Sequence, residues 1–200
     1  MLMLDQAFDV PKPPLAILDF YGAKNFLDPF WSQPLTDMLG RLPPPPSASD
    51  VEKLRKDNRT FATSISLEGQ AAAPSEADRA REAFSTRAVA SGRLVQEVWP
   101  QAPKDIKLID PYLNVNKAWP PVAIVHGTND TTIPIFLSKQ LEAKLKENEI
   151  EMVFIEVEGE GHTFAGRMVR GSKTWETQRK GFDFLERMLK RSYNNESIGA

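Results

Sequence analysis

Three almost continuous apolar runs constrain the fold of this chain more than any other feature. They cover residues 15–21, 122–126 and 152–157, and a glycine follows each run at once or within two residues. Short apolar runs bounded by such breakers indicate buried strands. Strands that are apolar on both faces are typical of a parallel sheet covered by helices on both sides.

Helical patterns separate and follow the second and third runs. Pro134 precedes Leu137, Leu141 and Leu145, which recur every four residues and form one apolar stripe. A further helix is predicted over residues 173–191. Strand, helix, strand and helix in this order predict an α/β fold. We therefore expect three consecutive parallel strands with flanking helices.

Residues 23–105 have a different character. Residues 43–46 are four consecutive prolines, which favour an extended, irregular segment. Ser49 or Asp50 is a candidate cap for a short helix, and a longer helix is expected after Pro74. The sequence therefore predicts a helical insertion at 23–105, while 1–22 and 106–200 form the α/β core.

Composition removes several classes of function. The chain has 200 residues and a net charge of −2, so no basic surplus indicates a nucleic acid partner. It has no cysteine and only two histidines, His126 and His162, which leaves little material for a metal site. We expect neither a metal ion nor an organic cofactor.

The sequence also predicts no membrane association. The first five residues lack the basic segment and the long apolar stretch of a signal peptide. No segment approaches the roughly 18 apolar residues of a membrane span. A cytoplasmic location is therefore the expectation.

Two polar side chains follow the second and third strands in positions suited to catalysis. Asp130 lies in the loop after residues 122–126, and His162 lies in the loop after residues 152–157. In parallel sheets, functional groups gather at the carboxyl ends of strands, and neighbouring strands lie about 4.8 Å apart. A carboxylate bound to one imidazole nitrogen leaves the other nitrogen free to accept a proton. Asp130 and His162 are therefore the candidate catalytic acid and base.

Two segments carry a resemblance to a known superfamily. Residues 120–134, reading PPVAIVHGTNDTTIP, resemble the acid-bearing segment of α/β-hydrolases, and residues 159–164, reading GEGHTF, resemble their histidine loop. The likeness is greatest to the esterase/lipase and prolyl-oligopeptidase-like branches. It implies hydrolysis of a carboxylic ester or similar acyl bond in a small-molecule substrate, with 23–105 as a lid.

The nucleophile of that superfamily is not recognisable here. It normally lies in Gly-x-Ser-x-Gly on a turn between strand and helix, and no glycine of this chain precedes Ser or Cys by two positions. Residues 1–4 resemble the end of the helix that follows this turn, which predicts a nucleophile upstream of Met1. The chain is then a piece of a working serine hydrolase, a non-catalytic remnant that binds a partner, or an unrelated α/β binding module.

Simpler interpretations exist for individual residues. Asp130 could be an ordinary turn residue and His162 a solvated loop residue, although their order favours the catalytic pair. His126 is expected to be a packed, hydrogen-bonded histidine. Phe30 and Trp31 could equally line an acyl pocket or pack in a core. The first strand would present an open edge through which the chain could self-associate.

Overall fold

The computed structural model describes residues 14–57 and 76–198. The chain divides into two compact units, Met1–Asn25 with Lys107–Ala200, and Phe26–Ile106. Residues 1–4, interpreted above as the end of a helix, lie outside the described residues.

The regular elements are named in chain order. The strands are β1 (Ile17–Phe20), β2 (Val122–Gly127) and β3 (Met152–Val157). The helices are α1 (Thr36–Leu39), α2 (Ala48–Lys56), α3 (Glu76–Ala90), α4 (Leu94–Val98), α5 (Pro111–Asn114), α6 (Ile135–Glu147) and α7 (Lys173–Ile198). Short 3₁₀ helices cover Pro29–Ser32, Ile106–Leu108 and Phe164–Arg167. None of the helices in the described ranges is long and apolar enough to cross a membrane.

The first unit contains a three-stranded parallel sheet in the order β1-β2-β3. Ile17 pairs with Val122, and Val122 pairs with Met152, so the three strands begin level, and β1 ends two residues before β2 and β3. The α/β class and the three consecutive parallel strands predicted from the sequence are confirmed. Because the strands are parallel and in step, the loops that follow them leave the same edge of the sheet.

Helices cover the central strand on both faces. Val122 and Ile124 pack with Leu141 and Leu145 of α6, whereas Ala123 packs with residues of α7. Every residue of β2 is buried, as its continuous apolar run predicts. The four residues of β1 are only half-buried.

One glycine lets α7 lie close to the sheet. A Cβ atom at Gly181 would lie 2.7 Å from Leu18 Cδ1 and 2.9 Å from Val125 Cγ2. Contacts that short are not tolerated without movement, so a larger residue would displace these side chains or the helix. This explains a glycine within a helix, where it otherwise costs about 1 kcal/mol relative to alanine.

The second unit is helical in its described part. Helix α2 begins after Ser47, whose side chain accepts a hydrogen bond from the backbone N–H of Asp50. The predicted cap at Ser49 or Asp50 was therefore wrong by two or three positions, because Ser47 is the residue that reaches the unpaired N–H groups of the first turn. Trp31 is buried against Phe26 and Phe30 and also lines a cavity of about 180 Å³. Core packing and pocket lining therefore coexist at this residue.

Candidate active site

The candidate site lies at the carboxyl ends of the three strands in the α/β unit. Tyr21 directly follows β1, and its backbone N–H donates to Val125 O at 2.9 Å. Asp130 lies in the turn after β2, and His162 lies in the loop after β3. The shared sheet edge brings these three side chains together although they are distant in sequence.

The carboxylate of Asp130 is held by its own turn. Its Oδ1 accepts hydrogen bonds from the backbone N–H groups of Thr132 and Ile133, at 2.9 Å each. The side chain is fully buried. The turn-forming role considered from the sequence is therefore real, and it coexists with the contacts of Oδ2 described next.

His162 lies against the other oxygen of this carboxylate. Its Nδ1 is 2.7 Å from Asp130 Oδ2, within the range expected for a carboxylate–imidazole hydrogen bond. Because an ionised carboxylate can only accept, Nδ1 carries the hydrogen and donates it. The lone pair of neutral His162 is then on Nε2. Among the described residues, no side chain or backbone group hydrogen-bonds Nε2, and the side chain is 26% exposed.

A glycine at the end of β2 makes this approach of the His162 loop feasible. A Cβ atom at Gly127 would lie 2.3 Å from the backbone oxygen of Glu160. The loops are joined by hydrogen bonds from Asn129 N to Glu160 O at 2.9 Å and from Gly159 N to Thr128 Oγ1 at 2.8 Å. Because Gly127 has no side chain, the two loops can approach each other closely, and His162 lies within hydrogen-bond distance of Asp130.

Tyr21 is a site residue that the sequence did not single out. Its ring meets the imidazole of His162 edge-on, with centroids 4.9 Å apart and planes at 61°. Burial raises the pKa of Tyr21, and the negative charge of Asp130 raises it further. The phenol therefore stays neutral at neutral pH, and its ring packs beside the imidazole of His162. Its position between β1 and Gly22 was the sequence feature that could have placed it at the sheet edge with Asp130 and His162.

His126 contacts Asp130 from the buried side. Its Nε2 is 2.8 Å from Ile133 O and 3.1 Å from Asp130 Oδ2, and its Nδ1 is 2.7 Å from Ser138 Oγ. The ring is completely buried. The prediction that His126 is a packed, hydrogen-bonded histidine is confirmed, but its contact with the candidate acid was not foreseen.

The surroundings keep Asp130 ionised. Burial by itself raises the pKa of this carboxyl group, but hydrogen bonds from His126, from His162 and from the backbone N–H of Ile133 outweigh burial and hold the pKa at about 2. Asp130 therefore carries a full negative charge at neutral pH. That charge can stabilise an imidazolium at His162, which is the role of the acid in a hydrolase triad.

Ser138 is arranged like the nucleophile of a catalytic triad but cannot act as one. Its hydroxyl, His126 and Asp130 form a serine–histidine–aspartate series at hydrogen-bond distances. However, Ser138 is completely buried, and its Oγ also accepts from Lys24 Nζ at 2.8 Å. A nucleophile must be reached by the substrate, so this series is structural.

The fold and this site together define the α/β-hydrolase class. Residues 83–192, more than half of the chain, match the prolyl oligopeptidase family, Peptidase_S9, and this segment includes Asp130 and His162. The chain belongs to the prolyl oligopeptidase family. Family membership excludes the interpretation as an unrelated α/β binding module.

Two solved structures resemble the chain. A protein of unknown function from Staphylococcus aureus subsp. aureus Mu50 is 17% identical over 94% of this chain, with a TM-score of 0.52. A truncated form of a carbohydrate esterase from gut microbiota is 26% identical over 40% of this chain, with a TM-score of 0.35. This chain spans 59% of the first protein's structure and 26% of the second. A search of curated proteins finds no match.

Proposed function

We propose that this chain supplies the acid and the base of a serine hydrolase that cleaves a carboxylic ester or a related acyl bond. The single observation that carries the proposal is the hydrogen bond between His162 Nδ1 and Asp130 Oδ2, which leaves Nε2 available as a base. Membership in a hydrolase family supports the same reaction class.

The proposed reaction proceeds through a covalent acyl-enzyme. His162 Nε2 removes the proton from a nucleophilic hydroxyl as that oxygen attacks the substrate carbonyl. The resulting imidazolium, stabilised by Asp130, donates the proton to the leaving group, and the acyl group remains on the nucleophile. His162 then activates a water molecule, which releases the acid and restores the hydroxyl.

The nucleophile is proposed to lie in sequence that precedes Met1. The chain contains no Gly-x-Ser-x-Gly, and Ser138, the serine that hydrogen-bonds His126, is buried. The chain spans 59% of the Staphylococcus aureus structure that it resembles, which agrees with the proposed missing segment. Residues 23–105 are proposed to act as the lid that selects the substrate, and the cytoplasm is the proposed location.

The edge of β1 is the proposed place for that missing segment to bind. Within the described residues, β1 pairs with β2 on one side and with no strand on the other. Its residues are half-buried, and Leu15 just before it is 52% exposed. A strand added at this edge would satisfy open backbone groups and cover apolar surface. Without it, we expect the isolated chain to self-associate.

The test has a genomic and a biochemical part. The DNA upstream of codon 1 should encode a strand followed by Gly-x-Ser-x-Gly. The 200-residue chain alone should hydrolyse neither an activated ester nor a prolyl anilide, and a fluorophosphonate should label no serine. Addition of the upstream-encoded polypeptide should restore turnover and produce labelling on that polypeptide.

Two results would count against the proposal, and a third would specify its substrate. Labelling of a serine within residues 1–200 would place the nucleophile in this chain. Absence of any upstream elbow, together with a soluble, cooperatively melting monomer, would favour the non-catalytic remnant that binds a partner. Turnover of the anilide but not the ester would retain the mechanism and assign a peptide substrate.

A further inference from the structure

Two histidines contact the carboxylate of Asp130, and only His162 has an accessible ring nitrogen that could act as the proposed base. The other, His126, is completely buried, and both its ring nitrogens have hydrogen-bond partners. An apolar side chain would fill a buried position without the cost of desolvating polar atoms. The contacts of His126 therefore call for an explanation beyond core packing.

The protonation state of His126 follows from those contacts. Its Nε2 faces only acceptors, the backbone oxygen of Ile133 and Asp130 Oδ2, so Nε2 carries a hydrogen. Its Nδ1 faces Ser138 Oγ at 2.7 Å. The hydroxyl of Ser138 can donate to Nδ1 because its oxygen accepts from Lys24 Nζ at 2.8 Å.

The series continues to the first strand. Lys24 is 1% exposed and forms a salt bridge with Asp19 of β1. Asp19 also accepts from the backbone N–H of Gly22 through Oδ1, at 3.0 Å. Hydrogen bonds thus run from β1 through Lys24 and Ser138 of α6 to His126 of β2, whose Nε2 lies 3.1 Å from Asp130 Oδ2.

We infer that His126, Ser138 and Lys24 are positioning residues that hold Asp130 Oδ2 in line with His162 Nδ1. The inference rests on the proposed function, because it assigns these residues a role in orienting the catalytic base. The turn N–H groups hold only Oδ1. The single Nε2–H of His126 lies between Ile133 O at 2.8 Å and Asp130 Oδ2 at 3.1 Å, and Ser138 and Lys24 keep the ring of His126 in the orientation that gives Oδ2 this second contact.

The tautomer of His162 reports this alignment directly. Asp130 selects the tautomer with hydrogen on Nδ1, whereas a histidine released from its carboxylate is free to place it on Nε2. The chain has only two histidines, so ¹⁵N NMR of histidine-labelled protein gives two separable sets of ring signals. This readout requires no nucleophile and uses the full chain.

The test compares three variants and one control variant with the wild type at a pH where both rings are neutral. In the wild type, His162 should be the Nδ1–H tautomer and His126 the Nε2–H tautomer. His126→Leu should lower the Nδ1–H to Nε2–H ratio of His162 about tenfold, the effect of losing one ordinary hydrogen bond. His126→Gln, which retains a donor and an acceptor, should restore most of the ratio.

Ser138→Ala is the decisive variant because it touches neither Asp130 nor His162 in the described contacts. It should shift the His162 ratio in the same direction as His126→Leu, by roughly threefold since its effect is transmitted through one more hydrogen bond. Ser85→Ala, at an exposed serine of α3, is the matched control and should change nothing.

An unchanged or increased Nδ1–H population of His162 in folded Ser138→Ala would overturn the inference, even if His126 itself changed tautomer. Should His126→Leu fail to fold, Ser138→Ala and His126→Gln still decide the matter. Failure of the proposed function appears elsewhere, as absent ester and anilide turnover in the presence of the upstream polypeptide, and leaves the tautomer ratios intact.

Discussion

A histidine contacts Asp130 from each of two sides, but the two histidines differ in burial and in the number of hydrogen-bonded ring nitrogens. On the inner side, His126 is completely buried and both ring nitrogens are occupied. On the outer side, the side chain of His162 is 26% exposed and one nitrogen is occupied. The comparison teaches that an unoccupied, accessible lone pair, and not the presence of histidine beside aspartate, identifies a candidate base.

The largest expected effect is on kcat, when the contact between Asp130 and His162 is changed. In protein combined with its upstream polypeptide, Asp130→Asn should lower kcat by about 10⁴-fold, because an amide can donate to Nδ1 and select the wrong tautomer of His162. The rate of activated-ester hydrolysis measures this. Asp183→Asn, at a half-exposed acid of α7, should leave the rate unchanged. A loss smaller than tenfold in Asp130→Asn would show that Asp130 is no triad acid.

The close approach of the two loops can be broken at Gly127. Gly127→Ala places a methyl group 2.3 Å from Glu160 O and should destabilise the fold by about 3 kcal/mol. Urea unfolding measures the difference. Gly161→Ala is the matched control, because its Cβ would have Asn129 O at 3.8 Å as its nearest neighbour. Equal stability of the two variants would contradict the proposed packing.

Acid should remove the contribution that ionised Asp130 makes to the stability of the fold. The pKa of Asp130 is lowered from 3.8 to about 2, and a group with a depressed folded-state pKa stabilises the fold above its unfolded-state pKa. Its contribution of about 2 kcal/mol should therefore be complete above about pH 5 and be lost as the pH falls from about 4 to 2. Unfolding free energies of wild type and Asp130→Asn across this range provide the measurement. Parallel curves would mean that Asp130 is not specifically stabilised.

The smallest expected effect is the change in the free energy of unfolding when His162 is substituted, compared with the same change at His126. His162→Gln should change the free energy of unfolding by less than about 1 kcal/mol, because the ring is partly exposed and forms one hydrogen bond. His126→Leu should cost about 2 kcal/mol or more, because buried partners lose their hydrogen bonds. Thermal or urea unfolding of both variants decides this. A larger loss at His162 would reverse the comparison.

The sequence by itself determined the strands, their parallel arrangement and the two loops that carry Asp130 and His162. The apolar runs are short and bounded by breakers, which favours buried strands over helices. Breakers fixed where the runs end, so the polar residues just after them could be assigned to one sheet edge. Helix boundaries were less certain: the helix predicted over 173–191 extends to Ile198, and α2 is capped by Ser47.

Only the tertiary structure decided which neighbours these residues have. Tyr21, Ser138 and Lys24 carry no motif, and each reaches the site through contacts between segments far apart in sequence. The double use of Asp130 by His126 and His162 depends on the level ends of β2 and β3 and on the absent side chain at Gly127. Local patterns report which face of an element is buried, but hydrogen bonds between elements depend on distances of a few tenths of an ångström that packing alone sets.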